Sequence, residues 1–319
     1  MSACADQVQA TARRGKVGGL QCHPTPTTDL PVRPAAYAAR WEMKSAQRGR
    51  AGRRASNRLR KGHTVELMQM TLTALPGIPL VRPGDDLVAF ILQGLERGGL
   101  TLADGDILVI AQKIVSKAEG RAVRLADVTP SEQAKELAVI LGKDPRHVQV
   151  ILDESNEIVR LKPGTIIVEQ RLGLICANAG VDRSNVAPEG EEEVLRLPAD
   201  PDESARKIRE GLQAATGRDV GIIISDSHNR PWRNGVIGVA IGVAGLVPVE
   251  DWRGRRDLFG YTLHITTVGV ADMVASAAML LMGQADEGRP VILVRGVPRV
   301  VGDGTHWDCL RPREQDMFR

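Results

Sequence analysis

The chain has 319 residues with a formal net charge of +3, 43% hydrophobic and 3% aromatic residues. That is enough for one large or two modest domains around an aliphatic core. No apolar run reaches the roughly 18 residues a membrane span needs, and the N-terminus lacks the apolar segment of a secretory signal. The four cysteines (Cys4, Cys22, Cys176 and Cys309) show neither CxxC nor zinc spacing. Free thiols in a reducing cytoplasm are therefore expected.

The net charge conceals two kinds of sequence. Residues 1–67 hold 13 Lys and Arg against 4 acids, a charge of +9, whereas the remainder holds 29 against 35, or −6. "QRGRAGRRASNRLRKG" (47–62) is rich in arginine and small residues, which reads as a disordered basic leader. A nucleic-acid arm is one use for such a segment. The plainer account is a start assigned too far upstream, because Met68 and Met70 directly precede the first ordered-looking stretch.

From residue 70 the elements follow one another. "PGDDLVAFILQGLERGG" (83–99) reads as a helix capped by Asp85 or Asp86 and ended at Gly98. "DILVIAQ" (106–112) has the length of a buried strand. Thr129-Pro130-Ser131-Glu132 forms a capping box with Pro at the first helical position, opening a helix to about Leu141. "TIIVEQ" (165–170) and "LGLICAN" (172–178) read as strands. Asp200-Pro201-Asp202-Glu203 opens a helix that stops near Gly217. An Ile-rich strand runs into Asp226, and a Gly/Val-rich run (235–247) follows. A strand near 261–267, a helix over about 270–282 and a strand "PVILVRG" (290–296) complete the domain. Short connections between strand pairs favour antiparallel pairing, hence an α+β fold with mixed, largely antiparallel sheets and packed helices. The expected division is a leader (1–67), a catalytic domain (68–300) and a C-terminal tail (301–319).

Four polar clusters sit at strand ends or turns. In "AQKIVSKAEGR" (111–121), Lys113 and Lys117 flank Ser116 beyond a buried strand, suiting phosphate or a solvated loop equally. In "CANAGVDRSN" (176–185), Gly180 permits a tight turn before Asp182, a hard oxygen ligand for Mg²⁺ or Mn²⁺ or else an Asx-turn residue. "ISDSHNRPWRNG" (224–235) places Asp226 at a strand end, followed by a turn bearing Ser227, His228, Asn229, Arg230 and Arg233, with Trp232 packing the loop. An acid with nearby arginines there suits a metal-bound nucleotide triphosphate. "MGQADEGR" (282–289) either closes over a nucleotide or simply ends a helix. The run "GVIGVAIGVAG" is glycine-rich but apolar and reads as close strand packing. There is no GxxxxGK[ST], GxGxxG, GxSxG or HExxH motif, which removes support from P-loop, dinucleotide, hydrolase and zinc-protease readings.

Together with "LPGIPLVRPGDDL" (75–87) and the extension "LLMGQADEGRPVILVRG" (280–296), these segments resemble the coenzyme F420-0:L-glutamate ligase family from about Leu75 to Val297. The resemblance implies a gamma-glutamyl ligase-type fold of two interleaved subdomains and an intertwined homodimer. It also implies GTP-dependent ligation of L-glutamate to the side-chain carboxylate of F420-0, with Mg²⁺ or Mn²⁺, two ions, and K⁺. The metal ligands it implies are Asp182, Asp226, Ser227 and Gln284, the last standing where Glu also occurs. The nucleotide contacts it implies are Ile78, Pro79, Leu80, Val81, Gln112, Lys113, Lys117 and Asn185, together with the loop Met282, Gly283, Gln284, Ala285, Asp286, Glu287, Gly288 and Arg289. Asp182, Asp226, Lys117 and Arg230 carry the chemistry in this reading. The alternative is another nucleotide-dependent amino-acid amide ligase acting on a different acceptor. Neither a membrane nor a nucleic acid is an expected partner of the folded part, which is net acidic and holds no aromatic stacking platform.

Overall fold

The computed structural model describes residues 68–188, 190–298 and 301–318; the basic leader, 1–67, lies outside the described residues. The strands are β1 (Thr71–Ala74), β2 (Ile107–Ala111), β3 (Ala122–Arg124), β4 (Ser155–Lys162), β5 (Thr165–Gln170), β6 (Ile175–Ala177), β7 (Glu193–Leu195), β8 (Gly221–Arg230), β9 (Arg233–Ala244), β10 (Val249–Asp251), β11 (Thr267–Gly269) and β12 (Val291–Arg295). The helices are α1 (Leu87–Arg97), α2 (Gln112–Ala118), α3 (Glu132–Leu141), α4 (Pro145–Asp153), α5 (Pro201–Thr216) and α6 (Val270–Met282).

A central sheet runs in the order β1-β12-β2-β8-β9, a second in the order β4-β5-β6, and β3–β7 and β10–β11 form two-stranded pairs. Among the described residues every pairing between these strands is antiparallel except β2–β8. The α+β class follows. The central strands read as unbroken apolar runs because both of their faces are covered. Leu108, Ile110, Ile222 and Ile224 pack with α1 and α5, while Ile107, Val109 and Ile223 pack with Ala271, Val274 and Ala278 of α6. A further core joins Leu137 and Leu141 of α3, Val148 and Ile151 of α4, and Ile166 and Val168 of β5. The largest fully buried side chains are all Leu or Ile, as the scarcity of aromatics requires.

Helix ends follow the local chemistry. Asp86 accepts from the Val88 and Ala89 amides at the start of α1 (2.9 and 3.2 Å), and Gly98 ends it. Asp200 caps α5, with Pro201 in its first turn, and Gly217 ends it in the left-handed region at φ 70°. At α3 the cap is Ser131, which accepts from the Ala134 amide at 3.2 Å, so the helix starts two residues later than Thr129-Pro130 suggests and Pro130 stays outside. Of the strand expected over 172–178 only β6 forms, and the one expected near 261–267 meets β11 at Thr267 alone.

Two further expectations are corrected near the polar clusters. Residues 112–118 form helix α2, not a loop, and Ala111 at its N-cap offers no side-chain hydrogen bond. β8 does not end at Asp226. It runs to Arg230 and pairs with β9 through His228–Ile237 and Arg230–Arg233, so the polar residues after Asp226 lie on an extended hairpin. Its turn holds Trp232 at φ 65°, 88% exposed, against Phe318 at a ring separation of 6.2 Å rather than packed into the loop.

The glycine run in β9 is a packing surface. A Cβ on Gly238 would collide with the Ala275 carbonyl of α6, and one on Gly242 with the Pro201 carbonyl of α5. β9 is an edge strand whose free amides are taken by helix acids. Ala240 N donates to Asp272 Oδ1 (2.9 Å) and Val243 N to Asp202 Oδ1 (2.7 Å), which blunts an otherwise pairable edge.

Candidate functional site

Asp182 and Asp226 reach the site from different parts of the chain. Asp182 follows a turn in which Asn178, Ala179 and Gly180 all have positive φ. Its backbone exchanges two hydrogen bonds with Leu195 (2.9 and 2.8 Å), which fixes the residue against β7. Asp226 sits in β8 just past a β-bulge: Ile224 opposes Gly242 but Ser225 opposes Ala240, leaving Ile241 as the extra residue on β9. Such a bulge re-aims the side chains that follow it.

The two carboxyl groups are electrostatically joined. Burial, and next the negative charge of Asp226, push the Asp182 carboxyl up to about 6, with Lys113 and Gln112 opposing the shift. Burial also works against the Asp226 charge, but the His228 hydrogen bond and charge, the Ser227 amide and Lys113 outweigh it and hold this carboxyl below its usual range. Lys113 therefore acts on both acids. Its Nζ lies 3.5 Å from Asp182 Oδ2 and donates to the Ser184 hydroxyl at 2.9 Å and carbonyl at 3.1 Å. Lys117, one helical turn on, has its ammonium pKa lowered by burial and by Lys113. Burial, followed by the Asp226 charge, pushes the nearby Cys176 thiol up to about 12.

The loop 282–289 closes this arrangement. Ser227 Oγ donates to Gln284 Oε1 at 2.9 Å, so two of the expected ligands meet directly. Asn185 Nδ2 donates to the Ala285 carbonyl at 2.7 Å, joining the loop to the Asp182 segment. Within the loop, Gly283 has φ 78° and Glu287 accepts from the Ala285 amide at 2.8 Å. Arg289 reaches back to the Leu281 carbonyl at 3.5 Å. The segment 78–81 lies near the other end of α2, where the Gly84 amide donates to the Ala118 carbonyl at 2.8 Å. There Leu80 is exposed, whereas Val81 and Ile78 belong to the core.

Other expected site residues are placed elsewhere or differently. Arg230 turns back onto its own hairpin, donating to the Asn234 carbonyl at 3.3 Å, and its Nε is buried without a partner. Gln112 is 1% exposed and donates to Asp182 Oδ2 at 2.9 Å. His228, in hydrogen-bond contact with Asp226 at 3.0 Å, is a residue of the site. Asp272 was not singled out in the sequence. Burial raises its carboxyl pKa, while the Ala240 amide and then the nearby His228 oppose the shift.

Among the described residues no group of three or more His, Cys, Asp or Glu side chains could hold a metal ion. The donors gathered here are two acids, a hydroxyl and an amide. This all-oxygen set matches hard cations such as Mg²⁺ or Mn²⁺ rather than zinc. Burial, and next the Asp226 charge, disfavour the Asp182 carboxylate, and a divalent cation would oppose both.

The class of site is thus a hard-oxygen donor set bordered by two ammonium groups and a helix-to-strand loop, on an α+β scaffold. The chain belongs to the F420-0:gamma-glutamyl ligase family, whose model matches residues 77–296. It is 50% identical over 254 residues to the coenzyme F420:L-glutamate ligase of Methanothermobacter thermautotrophicus, covering 79% of this chain and 100% of that protein. The corresponding protein of Methanopyrus kandleri is 50% identical over 243 residues (75% of this chain, 93% of that protein). That of Archaeoglobus fulgidus is 41% identical over 252 residues (79% and 97%).

Proposed function

We propose that this protein joins L-glutamate through its amine to the side-chain carboxylate of F420-0 at the expense of GTP, with successive gamma-glutamyl additions open to it. The observation that carries the reading is the convergence of Asp182 and Asp226, 44 positions apart in the sequence, around Lys113. The names of the family and of its relatives support a deazaflavin coenzyme and L-glutamate as substrates, and GTP is part of the proposal.

A carboxylate resists amines at neutral pH because hydroxide is a poor leaving group, so the carboxylate must first be activated. In the proposed route an acceptor carboxylate oxygen attacks the γ-phosphorus of GTP, the bond to the β-phosphate oxygen breaks, and GDP leaves. The glutamate amine then attacks the carbonyl carbon of the acyl phosphate. Phosphate departs with the former carboxylate oxygen, and the amine gives up a proton as the amide forms. Asp182, Asp226, Ser227 and Gln284 would hold two Mg²⁺ or Mn²⁺ ions. When bound, these would neutralise charge on the phosphate oxygens, and K⁺ is a further proposed requirement. Lys113 and Lys117 would supply point charges to the transferring group, and an incoming phosphate would favour the Lys117 ammonium that burial and Lys113 disfavour. Arg230, with one unpartnered guanidinium nitrogen, is the proposed third cation. Ile78 to Val81 and the loop 282–289 would enclose the nucleotide.

We further propose a homodimer. Leu258, Phe259 and Ile265 in the segment joining β10 to β11 are 99, 96 and 89% exposed, an apolar display that suits a second copy. Among the described residues no helix is long and apolar enough to cross a membrane; a cytoplasmic setting is part of the proposal.

The test is mass spectrometry of the deazaflavin after incubation with GTP, L-glutamate and Mn²⁺, with phosphate release followed in parallel. A glutamyl adduct with one phosphate per amide is expected, and it disappears in Asp226→Ala. Phosphate release with another acceptor but not F420-0 would favour the alternative amide ligase, and full turnover by Asp226→Ala would refute the site.

A further inference from the structure

Two buried residues of α2 end in a hydrogen-bond chain on Asp182. Gln112 and Ser116 lie four residues apart, one above the other on a helix face. Ser116 Oγ donates to Gln112 Oε1 at 2.9 Å, and Gln112 Nε2 donates to Asp182 Oδ2 at 2.9 Å. Ser116 is 0% and Gln112 1% exposed, so water does not substitute for either contact.

The order of this chain matters because a carboxamide has a donor end and an acceptor end of nearly identical shape. The Asp182 carboxylate only accepts and takes the donor end, and the Ser116 hydroxyl donates to the oxygen left at the other end and holds the amide in that sense. With the amide reversed, two oxygens would face each other in a buried space. Lys113 Nζ approaches the same Oδ2 at 3.5 Å. Both contacts fall on Oδ2, which leaves Oδ1 to a ligand. Asp226 Oδ2 is met by His228 Nε2 at 3.0 Å.

We propose that Ser116 and Gln112 are positioning residues that lock the Asp182 carboxylate for binding a divalent cation through one oxygen. This use of Gln112 is distinct from a contact with the nucleotide. The inference rests on the metal-dependent reading of the site given above. Partners of this kind behind a metal ligand typically contribute about 10–100-fold to metal affinity.

The test measures Mn²⁺ binding to the full-length protein from the electron paramagnetic resonance signal of free Mn²⁺. Melting temperature without metal and the Mn²⁺ and glutamate dependence of turnover are recorded alongside. Ser116→Ala and Gln112→Met, which keeps the volume and removes the donor, should each raise half-saturating Mn²⁺ by about ten-fold or more while the glutamate KM holds. Ser116→Thr, which keeps the hydroxyl, should stay within about two-fold of the wild type; should it fail to fold, Gln112→Met decides. Unchanged Mn²⁺ binding in Ser116→Ala and Gln112→Met overturns the inference whatever their melting temperatures. Asp182→Ala separates the two levels. If it loses Mn²⁺ while Ser116→Ala does not, only the positioning role fails. If the wild type binds no Mn²⁺, or Asp182→Ala binds it equally well, the metal reading fails and takes this inference with it.

Discussion

Asp202 is the place where the C-terminal segment is tied to the rest of the domain, and removing its carboxylate should loosen both. It lies in the first turn of α5 and accepts from three donors. Val243 N of β9 lies at 2.7 Å, His306 N at 3.0 Å and His306 Nδ1 at 2.7 Å. His306 is 1% exposed and its other ring nitrogen faces the Leu172 carbonyl at 3.1 Å. Asp202→Ala strands two backbone amides and a ring nitrogen in the interior. Each unsatisfied buried group costs about 1–3 kcal/mol, so the total is on the order of 3–5 kcal/mol after partial relaxation. For a domain of this size each kcal/mol moves the melting temperature by about 2–4 °C, which predicts a fall of roughly 6–20 °C by calorimetry. Asp202→Asn keeps one acceptor oxygen and should fall between. His306→Ala should destabilise comparably, and the double variant with Asp202→Ala should lose less than the sum, because both changes break one network. A melting temperature for Asp202→Ala within about 2 °C of the wild type would show that the tail does not depend on this carboxylate.

Other perturbations probe other parts of the account. Gly238→Ala forces a methyl against the Ala275 carbonyl and should lower stability by about 1–3 kcal/mol in denaturant unfolding; an unchanged midpoint would contradict close packing of β9 on α6. His147, 7% exposed with Nε2 unpartnered, has its pKa lowered to about 4 by burial and then by Lys143 and Arg183. The unfolded chain takes up this proton near pH 6.5 and the folded one only near pH 4. Stability is therefore unaffected above pH 6.5, falls as pH drops between those values, and levels off below about 4, by up to on the order of 3 kcal/mol. His147→Leu should flatten that part of the stability–pH curve, and a curve identical to the wild type would place the acid sensitivity elsewhere. Leu258→Glu with Phe259→Glu should yield a monomer by light scattering if the exposed arm seats a second copy, whereas an intact dimer would rule out that surface.

Much of the scaffold was legible from local chemistry. Asp86 and Gly98, Asp200 with Pro201 and Gly217, and the apolar runs at 107–111 and 291–295 carry their caps and periods within a few residues. Where the signal was absent the reading went astray. α2 spans seven residues with an alanine at its N-cap, too short and too plainly begun to show a helical pattern. "SHNR" (227–230) is polar, yet β8 continues through it because Gly238, Ile237, Val236 and Arg233 of β9 pair with it, and the turn is confined to Pro231 and Trp232. At α3 the helix starts from Ser131 because its hydroxyl is the one that reaches a free amide.

The sequence by itself determined which residues could do chemistry here: two acids, two lysines, an amide and a hydroxyl, each beside an apolar element stiff enough to hold it. Only the tertiary structure decided that Gln112 faces Asp182, that Ser227 meets Gln284, and that Asn185 meets Ala285. Strand and helix propensities act over a handful of neighbours, whereas these pairs are 70, 57 and 100 positions apart. Their meeting depends on which strands share a sheet and on a bulge of one residue, quantities set by packing of the whole core.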